Sequence, residues 1–399
     1  MATSTKTNHL YARTWRLVLL GACWFGAAQA LALTLDVETT PSGDLFPALE
    51  LSQSGIDGVD PGQGSGLLRI RIGDVRMPHD IRLTVSTPGL RRPTVIEARI
   101  SGDILLRPKL DWDTEALLEL RNPRRQTVQV SVTARGMKPL ERALELNVHP
   151  LDEALYFVRE GDTRIDLGWA FAAWVDPQDP VVDRLLDLAA INAVEVAALP
   201  RDRKARLDLV RRLWIALERH GLRYADEGAG LSQGPVIYSQ RVRLLSNTWN
   251  ERIANCLDGS VLIASALERL GIGSFLVLVP GHAFVGFYVE EGRRDAEFLE
   301  TTLLGFRRPR DPGTETAAQI RQRAVPGFEA ARRAGRARYR LAAPKLDGRH
   351  RPDYALIDIS TARAYGIMPL AVGRRERPAS SPVAVSPTVE SSSPARSSP

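Results

Sequence analysis

The alternation of apolar and polar positions changes character once along the chain, near Pro150. Before it, residues 68–72 (LRIRI), 81–85 (IRLTV) and 128–132 (VQVSV) alternate strictly, and 95–100 and 144–148 do so more loosely. A period of two predicts strands with one buried face. After Pro150 the period lengthens. Asp179-Pro180 predicts a helix start, since Asp caps a first turn and Pro fits it, and the apolar pattern carries this helix to about Ala198. A second helix is predicted over 202–220, with Leu207, Val210, Leu213, Trp214 and Leu217 on one face and Gly221 ending it in the left-handed conformation. Leu257, Val261, Ala264, Leu267 and Leu270 mark a third, stopped by Gly271. An apolar strand at 274–279 then breaks at Pro280-Gly281, and a strand opening at His282 follows. Phe298, Glu300 and Thr302 are expected on one face of the strand that returns. A strand at 354–359 and a short helix ending at Gly366 complete the pattern.

These elements predict an α+β chain in five parts. Residues 1–32 form a leader. Residues 33–150 form an antiparallel β-sandwich of immunoglobulin-like size, with no cysteine pair. Residues 151–310 place a cysteine-bearing helix on an antiparallel sheet, and 311–372 extend it. The Pro/Ser/Arg-rich tail, 373–399, cannot bury a core. In the leader, Lys6, Arg13 and Arg16 precede an apolar run, 17–28, too short to span a bilayer. Small residues at Ala28-Gln29-Ala30 and Ala30-Leu31-Ala32 offer cleavage sites, while Leu20-Gly21-Ala22-Cys23 offers a lipobox. The expectation is export, periplasmic or secreted. Membrane attachment is expected only if Cys23 carries lipid.

Composition adds less. The 399 residues are 44% hydrophobic and 25% charged, as in ordinary globular proteins. The net charge of +6 owes much to late arginines such as Arg307, Arg308, Arg310, Arg321 and Arg323. A basic surface favours polyanions, but no nucleic-acid motif accompanies it, so nucleic acid is not an expected partner. The Arg/Ala-rich run after Gly305 reads as helix interrupted at Pro326-Gly327, its charges forming a solvated face. Asp57 and Asp60 lie among glycines in a surface loop whose spacing does not fit an EF-hand. His79 and His149 are isolated, and read as structural or solvent-facing. Trp169 and Trp174 read as core or groove residues.

Of two cysteines, one lies in the leader, so the exported chain would keep only Cys256. An unpaired thiol in an oxidising setting is either an inert buried side chain or a reactive one. Cys256 falls at a helix N-terminus, where unpaired N–H groups and the dipole favour a thiolate and can stabilise an oxyanion. A hairpin centred near Glu291 would place Glu300 opposite His282, the arrangement in which an acid orients an imidazole and leaves its second nitrogen to the thiol. Asp295 and Glu297 are weaker alternatives for the acid. Asp258 reads as a first-turn helix stabiliser and His220 as a helix cap. Gln240 is a candidate oxyanion donor, with Tyr238 and Trp249 as further substrate-binding candidates; a backbone hydrogen bond would equally explain Gln240. No cofactor is expected, and Cys256 with His282 alone would not close a zinc site.

The segments Asn255-Cys256-Leu257-Asp258-Gly259, Gly281-His282-Ala283-Phe284-Val285-Gly286 and Leu299-Glu300-Thr301-Thr302 resemble the bacterial transglutaminase-like proteins of the papain-like superfamily. Gln240-Arg241-Val242-Arg243-Leu244 fits the same group, and the likeness covers roughly residues 152–370. It implies peptidase, amidase or transglutaminase chemistry on a peptide or protein substrate, with the cell envelope a candidate source. By position, Cys256 would be nucleophile, His282 general base and acid, and Glu300 the orienting acid. The superfamily more often has Asp in that third place. The competing expectation is a catalytically silent envelope-binding or scaffold protein that keeps the fold.

Overall fold

The computed structural model describes residues 33–53, 66–198, 202–226, 231–234, 236–290, 292, 295–306, 315–370 and 372. The leader with Cys23, the Asp57/Asp60 loop, Arg307, Arg308 and Arg310, Glu291 and the tail from 373 lie outside these residues. The chain is mixed α+β. Its first part carries a five-stranded sheet, in the order Asp44–Leu45, Leu140–Val148, Arg124–Ala134, His79–Ser86, Thr94–Ile100. A three-stranded sheet is centred on Leu68–Gly73, between Thr34–Thr39 and Ile104–Leu106. Alternation does what the sequence predicts: Ile81, Leu83 and Val85 are buried with Val128, Val130 and Val132, and with Leu68, Ile70 and Ile72 from the other sheet. The pairing is not wholly antiparallel, since Asp44–Leu45 runs parallel to Asn147 and Val148. This part is not wholly β either. Short helices at Pro47–Ser52 and Thr114–Glu119 interrupt it.

Beyond Pro150 the apolar core continues without a break, from Leu146 and Val148 through Leu151 and Phe171 to Trp214 and Leu262. An antiparallel sheet of Glu153–Glu160, Thr163–Asp166, Ile237–Arg241 and Leu231–Gln233 sits at the join. His149, isolated in the sequence, is buried there between two carboxylates. Asp44 Oδ1 lies 2.8 Å from its Nε2 and Glu153 Oε2 lies 3.0 Å from its Nδ1, while Phe46 stacks on the ring. Burial lowers its affinity for a proton, but the two acids outweigh that and raise its pKa.

The helix starting at Pro180 stops at Leu188 rather than Ala198. Ala190 takes a positive φ of 53°, and Asn192 opens a separate helix, Ala193–Ala198, by exchanging hydrogen bonds with Glu195. Two alanines hid the break; the cap made it. The next helix, Arg203–His220, has Asp202 as its N-cap and Gly221 at φ 89° as its stop. The longest, Ala317–Ala342, runs through Pro326 without interruption. Proline in a helix interior costs about 3 kcal/mol, which burial of Phe328 against Trp214 helps to offset. The arginines of this helix are not simply a solvated face. Arg323 pairs with Glu218 and Glu315, and Arg332 and Arg336 pair with the fully buried Glu297.

The sheet that carries the site is antiparallel, in the order Ala296–Leu299, His282–Tyr288, Ser274–Val279, Ala355–Asp358. One face holds Phe275, Val277, Phe284 and Phe298, and the helix Cys256–Arg269 packs on the sheet. Among the described residues no helix is long and apolar enough to cross a membrane.

Candidate functional site

The site begins at a tightly built helix start. Asn255 Oδ1 accepts from the backbone N–H groups of Leu257 (2.9 Å) and Asp258 (2.8 Å), and Asp258 Oδ2 accepts from the N–H of Asn255 at 3.0 Å. This capping box satisfies donors that a helix start leaves open. Asp258 also accepts from the N–H and guanidinium of Arg243. It is therefore the first-turn stabiliser its sequence position suggests. Cys256 is the first helical residue, partly exposed, and its own N–H has no acceptor among the described residues. Its carbonyl accepts from Ser260 Oγ (2.6 Å) and Thr301 Oγ1 (2.9 Å). The second bond ties the cysteine to the turn after Glu300. Gly259 permits that approach, because a Cβ there would sit 3.1 Å from Thr301 Cβ.

His282 opens its strand after the turn at Gly281, and Glu300 follows the end of the returning strand. His282 Nε2 lies 2.8 Å from Glu300 Oε2, and Cys256 is near enough to the ring to raise its proton affinity. The hairpin register differs from the expectation by two residues. Val285 faces Leu299 and Gly286 faces Phe298, so continuing the ladder sets Glu300 against Phe284 rather than His282. A shift of two keeps the same face. The side chain then spans the remaining offset along the strand. Glu300 is also not a strand residue: it caps a short 3₁₀ turn, Thr301–Leu303, through Thr302.

Electrostatics follow from this packing. Burial alone would push the His282 pKa down, but nearby Cys256 and the hydrogen-bonded, charged Glu300 carry it up to about 9. Burial alone would raise Glu300, yet His282 and the hydrogen bonds from Thr302 N (3.2 Å) and Oγ1 (2.8 Å) hold it below the ordinary glutamate value. The imidazole is thus cationic at neutral pH, with Cys256 beside it.

The other sequence candidates have partners of their own. The Gln240 amide donates to the carbonyl of Arg241 at 3.2 Å. Tyr238 packs edge-on against Tyr156 and Phe157, with Arg159 over its ring. Trp249 stacks on His220 at 3.6 Å, and its carbonyl lies 2.8 Å from His220 Nε2. Asp295 pairs with Arg203 and Glu297 with Arg203, Arg332 and Arg336, so neither is the acid on His282. Among the described residues no group of three or more His, Cys, Asp and Glu could hold a metal.

Two residues near the site carried no signal in the sequence. Tyr224 belongs to a two-residue strand paired in parallel with Ile253–Ala254, just before Asn255. Burial raises its pKa, with the negative charges of Asp226, Cys256 and Glu300 adding to the effect. Arg338, in the helix read as solvent-facing, places Nε 2.5 Å from Glu300 Oε2. Neither known protein families nor curated protein sequences offer a match to this chain.

Proposed function

We propose that this chain is an exported thiol enzyme of the transglutaminase-like kind, cleaving or transferring a peptide or amide acyl group through a Cys256 thioester. One observation carries the reading: the His282 ring meets the buried Glu300 carboxylate at 2.8 Å, with Cys256 near enough to act on the same ring's proton affinity. That order, thiol to imidazole to acid, is what thiol acyl transfer requires. The helix bearing the cysteine on an antiparallel sheet supports the same assignment.

The chemistry would run as follows. Cys256 Sγ attacks the substrate carbonyl carbon and forms a C–S bond. The carbonyl oxygen becomes an oxyanion, for which the unpaired N–H of Cys256 is the available backbone donor. As the tetrahedral species collapses, the C–N bond breaks and His282 gives its proton to the leaving amine. Neutral His282 then takes a proton from water or from an amine, which attacks the thioester. The C–S bond breaks, an acid or a new amide leaves, and the thiolate–imidazolium pair is restored. Hydrolysis needs no second-substrate pocket and is the favoured outcome.

The test starts with iodoacetamide. Carboxymethylation mapped to Cys256 should proceed well below pH 8 in the wild type and slow at least tenfold in His282→Ala. Incubation with amide-bearing peptides, with and without hydroxylamine, then separates acid from hydroxamate products. Full turnover by Cys256→Ala on a substrate found this way would refute the mechanism.

A further inference from the structure

The helix Ala317–Ala342 reaches Glu300 at two points. The N–H of Glu300 donates to the carbonyl of Ala331 at 3.1 Å, fixing the backbone. Seven residues on, two turns along the same face, Arg338 Nε meets Oε2 of the carboxylate at 2.5 Å. Between them lies Gly335, which brings the helix against the backbone of Phe298 and Leu299. Oε2 is the same oxygen that faces His282 Nε2. Glu300 therefore sits between two cations, one that exchanges protons and one that does not.

We propose that Arg338 acts on His282 through Glu300, as a fixed counter-charge on the outer side of the carboxylate that keeps it ionised. The proposal rests on reading Cys256, His282 and Glu300 as the catalytic set. An exposed ion pair would be a weak argument, because surface pairs contribute little. Here the arginine side chain is 49% exposed but its partner is 2% exposed. A carboxylate so buried needs a counter-charge in every state of the cycle. His282 supplies one only while protonated. When its proton has gone to the leaving group, Arg338 is the charge that remains on Oε2.

Such a cation has a second effect. It offsets part of the carboxylate's pull on the imidazolium, so it restrains the basicity of His282. The charged or titratable groups around His282 are Cys256 from the helix below, Glu300 from the turn, Arg338 behind Glu300, and Tyr224 from the short strand, within electrostatic reach of Cys256 and Glu300. Removing Arg338 leaves Oε1 held by Thr302 and the Glu300 backbone held by Ala331, so the acid keeps its aim and loses only the opposing charge.

The test is an NMR titration of the histidine ring in labelled full-length protein, with the His282 signal assigned by its loss in His282→Gln. Arg338→Gln should raise the His282 midpoint by roughly 0.5–1 pH unit, the size expected of a half-exposed charge acting across a few ångströms. Arg338→Lys should return most of that shift. An unchanged midpoint, or one that falls, would overturn the proposal. The reading of the site fails by a different result: His282→Gln leaving the alkylation rate of Cys256 unaltered.

Discussion

Gly335 is where the arginine-rich helix crosses the strand that leads to Glu300. A Cβ built there would lie 2.8 Å from the carbonyl carbon of Phe298, and 2.9 Å from both Phe298 O and Leu299 N. These are backbone atoms of a paired strand, so no side chain can swing aside. To reach an ordinary contact of 3.4 Å the helix must lift by 3.4 − 2.8, about 0.6 Å. Overpacking of this kind costs about 1–3 kcal/mol, and alanine returns about 1 kcal/mol through helix propensity. Gly335→Ala should therefore lower the melting temperature by only a few degrees. Its effect on the site should be larger. The same lift would stretch the 3.1 Å bond from Glu300 N to Ala331 O past hydrogen-bond length and pull Arg338 from the carboxylate. Misplacement by a fraction of an ångström can cost about tenfold in rate. The assay is iodoacetamide modification of Cys256 at pH 6.5, measured beside a thermal melt. Wild-type alkylation in a folded Gly335→Ala protein would show that this helix does not mount the acid.

Three further outcomes follow from the packing. With His282 carried from 6.5 to about 9, its protonation stabilises the fold fully below about pH 6.5 and that contribution fades as pH rises through 9, to a limit of about 3 kcal/mol. Denaturant titrations should thus find His282→Gln most costly at pH 6 and least at pH 10; equal cost at both would refute the assignment. Glu297→Gln leaves the cations Arg203, Arg332 and Arg336 around a neutral buried amide. It should cost about 3–5 kcal/mol, and a melt within a degree of wild type would contradict that. Glu300→Asp keeps the charge but shortens the side chain by one methylene. The 2.8 Å bond to His282 should be lost, slowing Cys256 alkylation about as much as Glu300→Gln; an Asp variant that alkylates like the wild type would be inconsistent with the observed register.

Local patterns were readable wherever local forces decided the outcome. The strands at 68–72, 81–85 and 128–132 alternate because one face is buried, and the helix from Arg203 to His220 carries its own cap and stop. Cys256 could be placed at a helix start because Leu257, Val261, Ala264, Leu267 and Leu270 mark the apolar face that begins beside it. Distant partners were not readable. Pro326 looked like an interruption of the helix because nothing nearby in sequence announces Trp214 beneath Phe328. The arginines looked solvated because their partners Glu218, Glu297 and Glu300 lie 35 or more residues away, beyond any helical repeat. His149 looked alone because Asp44 is 105 residues upstream.

The third residue of the site shows how the two kinds of information meet. Face is set by parity along a strand, so any even register error leaves Glu300 on the side of His282, and the sequence could identify the pair while misplacing the ladder by two. Reach is set by side-chain length. At a directly opposed position an aspartate would be long enough to meet an imidazole; at the observed offset the extra methylene of glutamate closes the gap to 2.8 Å. The same offset turns the carboxylate toward the arginine-rich helix, where Ala331 and Arg338 hold it. A longer acid, a shifted ladder and a helix that supplies a cation form one arrangement, in which shortening the acid or moving the ladder should part His282 from Glu300 and removing the cation should change only the charge they feel.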